Sequence, residues 1–232
     1  MTHTHPPAPE SACNDLGDSP CIVVLGIGNV LWADEGFGVR CVEQLQQRHE
    51  LPPHVQLIDG GTQGLYLIQH VQDADALLIF DAIDYGLAPG TLQIVRDDEV
   101  PQYLGAKKMS LHQTGFQEVL ALARLTGNYP KQLVLIGCQP EHLEDYGGSL
   151  RPIVKAAMEP ALAHAEQTLK QWGVELKPRV TPLRVDEAVT LPHLALERYE
   201  RERPSEDQAC RVGDDRFFPG SPMATPADGR TC

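Results

Sequence analysis

Short runs of uninterrupted apolar residues alternate along this chain with segments whose apolar positions recur every three or four residues. The runs at 21–27, 76–80 and 133–138 are rich in Ile, Val and Leu, which suits strands buried on both faces. A shorter β-rich run covers 54–58. Val39, Val42 and Leu45 predict a helix over 38–48, and Leu65, Ile68 and Val71 predict a shorter one. Phe116, Val119, Leu120 and Ala123 predict a helix over 113–125 that ends at Gly127, and a long closing helix is expected over 153–172, stopped by Gly173. Residues 91–96 follow a Pro89-Gly90 turn and read as a locally paired, antiparallel edge strand. The order β-α-β-α-β-β-α-β-α calls for an α/β fold: a three-layer sandwich with a mostly parallel, five-stranded twisted sheet and helices on both faces. The order of strands within the sheet is not readable from this pattern.

The periodicity fades after Gly173. Prolines recur and charges mix from Val174 onward, apart from a periodic stretch at 194–203. The expected organisation is a flexible arm over 1–20, one folded domain over 21–173, and a mostly disordered extension over 174–232. Composition sharpens this. The net charge of −13 lacks the basic footprint a nucleic-acid binder needs. The extension holds 9 Lys/Arg against 11 Asp/Glu, so the negative excess belongs to the body, which favours cationic ligands or a basic partner surface. Six cysteines show no C-x-x-C pair or zinc spacing; Cys21 and Cys138 lie in apolar runs and read as small buried hydrophobes of a reducing compartment. The start of the chain lacks the basic and apolar regions of a signal peptide, and no run is long enough to span a membrane. A cytoplasmic protein is expected.

Candidate chemistry gathers where strands end. Residues 26–40 read GIGNVLWADEGFGVR: a strand stops in a glycine turn and feeds a helix, which is where open α/β sheets place ligands. Leu31 stands where a dinucleotide fingerprint requires its third glycine, and the acids Asp34 and Glu35 would repel a pyrophosphate. The plain alternative is that these acids only complement the helix dipole. Parallel strands would bring Glu35, Asp59 of a DGGT turn, and Asp81 of FDAID to one carboxyl edge. His112, in the loop before the 113–125 helix, can swing over that edge. One histidine with two or three carboxylates suits a borderline divalent metal, leaving zinc, nickel, cobalt and iron open; a lone loop histidine is otherwise an exposed or capping residue. No G-x-S-x-G elbow, phosphate-binding P-loop or H-E-x-x-H is present.

GIGNVLWADEGFGVR, DGGT at 59–62, FDAID with the APGT at 88–91, and KMSLHQTGF at 108–116 occur in order. Together they resemble the hydrogenase maturation proteases, and the SLHQTGF segment is most similar to the branch serving uptake hydrogenases. The resemblance runs from about Cys21 to Trp172. It implies an α/β sandwich and an endopeptidase that trims the C-terminus of the precursor of the nickel-iron hydrogenase large subunit. It implies nickel ligands at Glu35, Asp81 and His112, the three catalytic candidates, with Asp59 second to them. The metal would arrive with the substrate as the signal that cofactor assembly is complete. Two other functions compete: a nickel-binding chaperone that docks on the precursor without cutting, and a dinucleotide-binding oxidoreductase.

Overall fold

The computed structural model describes residues 19–105, 111–143 and 145–203, with backbone alone at 103, 105 and 111–114. The arm up to 18, the residues from 204 onward, and Lys108, Met109 and Ser110 lie outside the described residues. Five strands form one sheet: β1 (Ile22–Ile27), β3 (Val55–Gly61), β4 (Ala76–Ala82), β5 (Leu92–Arg96) and β6 (Gln132–Cys138). Their order is β3-β1-β4-β6-β5. Every pairing is parallel except β5 on β6, so the strand after the Pro-Gly turn is the antiparallel edge the sequence predicts. Helices α1 (Phe37–Arg48) and α5 (Pro152–Gln171) cover one face. The other carries α2 (Ile68–Asp73), α3 (Val100–Gly105) and α4 (Leu111–Leu125).

The side-chain period of two divides each strand between two cores. Val24, Phe80, Ile136 and Cys138 point under α1 and α5, packing on Phe37, Leu45 and Leu162. Leu25, Ile79 and Leu135 point the other way, onto Phe116, Val119 and Leu120 of α4. The central strands are buried throughout, as their unbroken apolar runs require.

Two findings differ from the sequence reading. Residues 174–203 pack along α1 instead of hanging free. A two-residue strand β7 (Lys177–Pro178) pairs with β2 (His49–Glu50) directly after α1, and α6 (Leu196–Glu202) closes the segment. Between them the chain is held by hydrogen bonds: Arg179 donates its amide to the Arg48 carbonyl (2.8 Å), and Val189 and Leu196 donate amides to Gln46 Oε1 and Glu43 Oε1 (2.9 Å each). Such anchoring leaves no trace in a hydropathy pattern. Second, Cys21 is disulfide-bonded, whereas Cys41 and Cys138 are free and buried.

Candidate functional site

β1 ends in Gly28, whose φ of +128° is open to glycine and hostile to other residues, and a Cβ there would meet the Glu35 carbonyl oxygen at 1.7 Å. At Gly38, in the first turn of α1, a Cβ would stand 2.3 Å from the carbonyl oxygens of both Ile27 and Phe80. The glycines thus let α1 sit directly on the ends of β1 and β4. Between them a 3-10 turn, Ala33–Gly36, carries the adjacent acids in different environments.

Asp34 is fully buried and saturated. Its Oδ2 accepts the amides of Glu141 and His142 (2.8 Å each), and its Oδ1 accepts the Arg151 amide at the start of α5 (2.7 Å). A carboxylate receiving three amides is a fastener, here joining the first turn to the loop after β6. Glu35 is half-buried, and burial pushes its carboxyl up to about 7. The dipole-complementing role weighed for both acids therefore describes neither: one is consumed by the scaffold, the other is left at the sheet edge with its ionised form disfavoured.

Asp81 ends the apolar core of β4 and is 1 % exposed. It pairs in register with Gly137 of β6 and alternates with Phe80, so it points to the face that α4 covers. His112 belongs to the first turn of α4, since the helix begins at Leu111 and not at 113, a difference within the usual softness of helix ends. Its backbone is on the same face as Asp81; its side chain lies outside the described residues. Asp59 differs. It pairs with Gly26, which pairs with Phe80, so it points to the α1 face, opposite Asp81. Its Oδ1 accepts the Gly61 amide (3.0 Å), and burial raises its carboxyl against the lowering effects of that amide and of Arg40. Asp59 thus closes its own turn through that bond and stands on the opposite face from Asp81. Among the described residues no three His, Cys, Asp or Glu side chains gather as a ready metal site.

The loop after β4 is fixed by a buried residue that sequence reading passed over. Gln139 Oε1 accepts the amides of Tyr85 (2.7 Å) and Leu87 (3.1 Å), while its Nε2 donates to Asp84 Oδ1 (3.0 Å). No motif signals this, because the partners lie more than fifty residues apart.

The mostly parallel sheet thus carries a half-buried and a buried carboxylate at its carboxyl edge, and the helix covering one face holds a histidine in its first turn. The model of the hydrogenase maturation protease family matches residues 39–168. The chain is 68 % identical over 198 residues to hydrogenase expression/formation protein HoxM of Cupriavidus necator, covering 85 % of this chain and 98 % of that protein. It is 62 % identical over 202 residues to HupM of Azotobacter chroococcum, covering 87 % and 95 %. Among solved structures, the hydrogenase maturating endopeptidase HybD from Escherichia coli is similar with a TM-score of 0.65 at 47 % identity, covering 68 % of this chain and 97 % of that one. The chain belongs to the hydrogenase maturation protease family, and it is an endopeptidase acting on a hydrogenase precursor.

Proposed function

We infer that the protein removes the C-terminal peptide of the large-subunit precursor of a nickel-iron hydrogenase of the uptake type, in the cytoplasm, once nickel is in place. The observation that carries this reading is one juxtaposition: the Glu35 turn and buried Asp81 share a strand-end edge, and Asp81 faces the helix whose first turn holds His112. Nickel here is part of the substrate, held by the precursor, and Glu35, Asp81 and His112 are the groups offered to it. The residues fit that purpose: oxygen and nitrogen donors suit a borderline cation, and a carboxyl raised to about 7 by burial is one that an approaching cation would readily ionise.

Cleavage adds water across the scissile amide. One proton leaves the attacking water, one reaches the departing amine, and a carboxylate at this edge serves as acceptor or helps position the precursor's metal. The described residues include no helix long and apolar enough to cross a membrane. The net charge of −13 would suit a basic surface on the precursor.

The reading is tested by mixing the full chain with nickel-loaded and nickel-free precursor and weighing the products by mass spectrometry. Peptide release from the loaded precursor alone is expected. Equal release from both would remove nickel as the signal. Binding without release would favour the chaperone.

A further inference from the structure

The first turn brings more than a carboxylate to the sheet edge. Trp32 stands directly before the 3-10 turn, and its carbonyl accepts the Glu35 amide (2.9 Å), so one turn places both residues. The half-buried indole meets the ring of Tyr146 edge-on, with centroids 5.4 Å apart and planes at 64°. Tyr146 is 55 % exposed. Its loop follows β6 and comes back to the first turn: Trp32 and Tyr146 form an isolated antiparallel bridge, and the Gly147 amide donates to the Leu31 carbonyl (2.7 Å). Leu87 from the loop after β4 and Ile153 from the start of α5 are also exposed at this edge. Their segments touch, since a Cβ on Gly90 would stand 3.0 Å from Ile153 Cγ1. Exposed apolar side chains gathered around a site, and not scattered singly, mark an interaction surface.

The loop that carries Tyr146 is tied on both sides. Arg151 donates to the Asp145 carboxylate (2.6 Å). Beyond the tyrosine, α6 does the fastening: the Tyr199 hydroxyl donates to the Gly148 carbonyl (3.4 Å), and Glu200 receives the Ser149 hydroxyl (2.8 Å) and the Lys155 ammonium (2.7 Å). The Tyr199 ring lies in turn against the buried Arg40 guanidinium of α1, 5.5 Å from its centroid. A ring presented by a loop already held in place costs little further ordering when a partner binds.

We propose that Trp32 and Tyr146, braced by α6, form an aromatic docking surface that takes an apolar side chain from the C-terminal part of the precursor. The proposal deepens the function inferred above and rests on the precursor being presented to Glu35. The occupant follows from the placement: the pair stands one turn from Glu35, so a polypeptide offered to that carboxyl runs past the two rings. Aromatic side chains with exposed apolar faces and a polar tip are the usual anchors of such contacts, and a few of them carry most of the binding energy.

The test uses the full chain carrying Tyr146→Ala, Tyr146→Phe or Glu200→Ala. For each, the melting temperature is read, with kcat and KM for release of the C-terminal peptide from nickel-loaded precursor and the Kd of that precursor by calorimetry. Tyr146→Ala should raise KM by about tenfold, with kcat within about twofold and the melting temperature unchanged. Tyr146→Phe keeps the ring and should stay within about twofold of the wild type in KM. Glu200→Ala leaves the tyrosine in place but loosens its loop, and should raise KM by about threefold. An unchanged KM in Tyr146→Ala overturns the docking surface, and an unchanged KM in Glu200→Ala overturns its brace. A loss confined to kcat, or one that follows the melting temperature, overturns the proposal too, by giving Tyr146 to the chemistry or to the scaffold. If the wild type binds precursor without cutting it, the protease reading falls by itself. The Kd then decides separately: a wild-type Kd in Tyr146→Ala overturns the docking surface, and a Kd about tenfold weaker upholds it.

Discussion

The two faces of the sheet bury charge differently. Under α1 and α5 each buried ionic group belongs to a completed set. Asp34 takes three amides. Arg40 and Glu43, 2 % and 5 % exposed, pair at 2.9 Å; Arg40 also donates to the Leu194 carbonyl and lies over the Tyr199 ring, and Glu43 receives the Leu196 amide. Under α4, among the described residues, the buried acid is Asp81, in register with Gly137 on the face that α4 covers. The first arrangement is what scaffolds require, since burial of an unmatched charge is severely unfavourable. The second places a buried acid at the carboxyl end of β4. Residues 174–203 belong to the first kind, because they supply the partners that α1's buried pair needs. HybD covers only 68 % of this chain, whereas HoxM and HupM align over 198 and 202 residues, so the longer segment is shared with the latter relatives.

Substitutions separate the two faces. Asp81→Asn and Glu35→Ala should lower peptide release by at least about 10²-fold, with the urea midpoint read alongside to separate loss of chemistry from loss of fold. On the other face the pattern reverses. Asp34→Ala strands three buried amides and should cost about 3–5 kcal/mol in urea unfolding, losing activity only as the fold is lost. Arg40→Met leaves Glu43 buried and uncompensated and should cost about 3–5 kcal/mol, with part recovered in the Arg40→Met/Glu43→Met double variant.

A smaller effect follows from Glu35 and has a defined sign with pH. Its carboxyl titrates near 7 in the native state against 4.5 in the unfolded chain. Below 4.5 both states are protonated and nothing is lost. As pH rises toward 7 the unfolded chain ionises first, so native stability falls and the loss is complete above 7. Glu35→Gln should therefore be neutral at pH 4 and stabilising at pH 8, by no more than ~1 kcal/mol after solvent screening of a half-exposed group. The smallest effect is expected for Asp59→Asn, whose side chain can still accept the Gly61 amide: peptide release should stay within about threefold, since this change touches only a hydrogen bond worth about 1 kcal/mol.

The strands were legible because a strand buried on both faces must be apolar throughout, and 76–80 is. The glycine turn was legible because the Glu35 carbonyl leaves no room for a side chain at 28, and α1 packs against β1 and β4 too closely for one at 38. Asp34 and Glu35 were indistinguishable in sequence, since what separates them is a set of amides more than a hundred residues away. The packing of 174–203 was hidden for a related reason: its anchors are backbone groups and long polar side chains. Asp59 was grouped with Asp81 by its place at a strand end, and only the register through Gly26 shows that the two point to opposite faces.

The central claim is that the chemistry sits on the α4 face at Asp81. Its most direct test follows release of the C-terminal peptide from nickel-loaded precursor, by mass spectrometry, for an Asp81→Asn protein whose melting temperature equals that of the wild type. The account predicts no detectable peptide over the time in which the wild type completes the reaction. Release at the wild-type rate would contradict it and move the reacting groups elsewhere on the sheet edge.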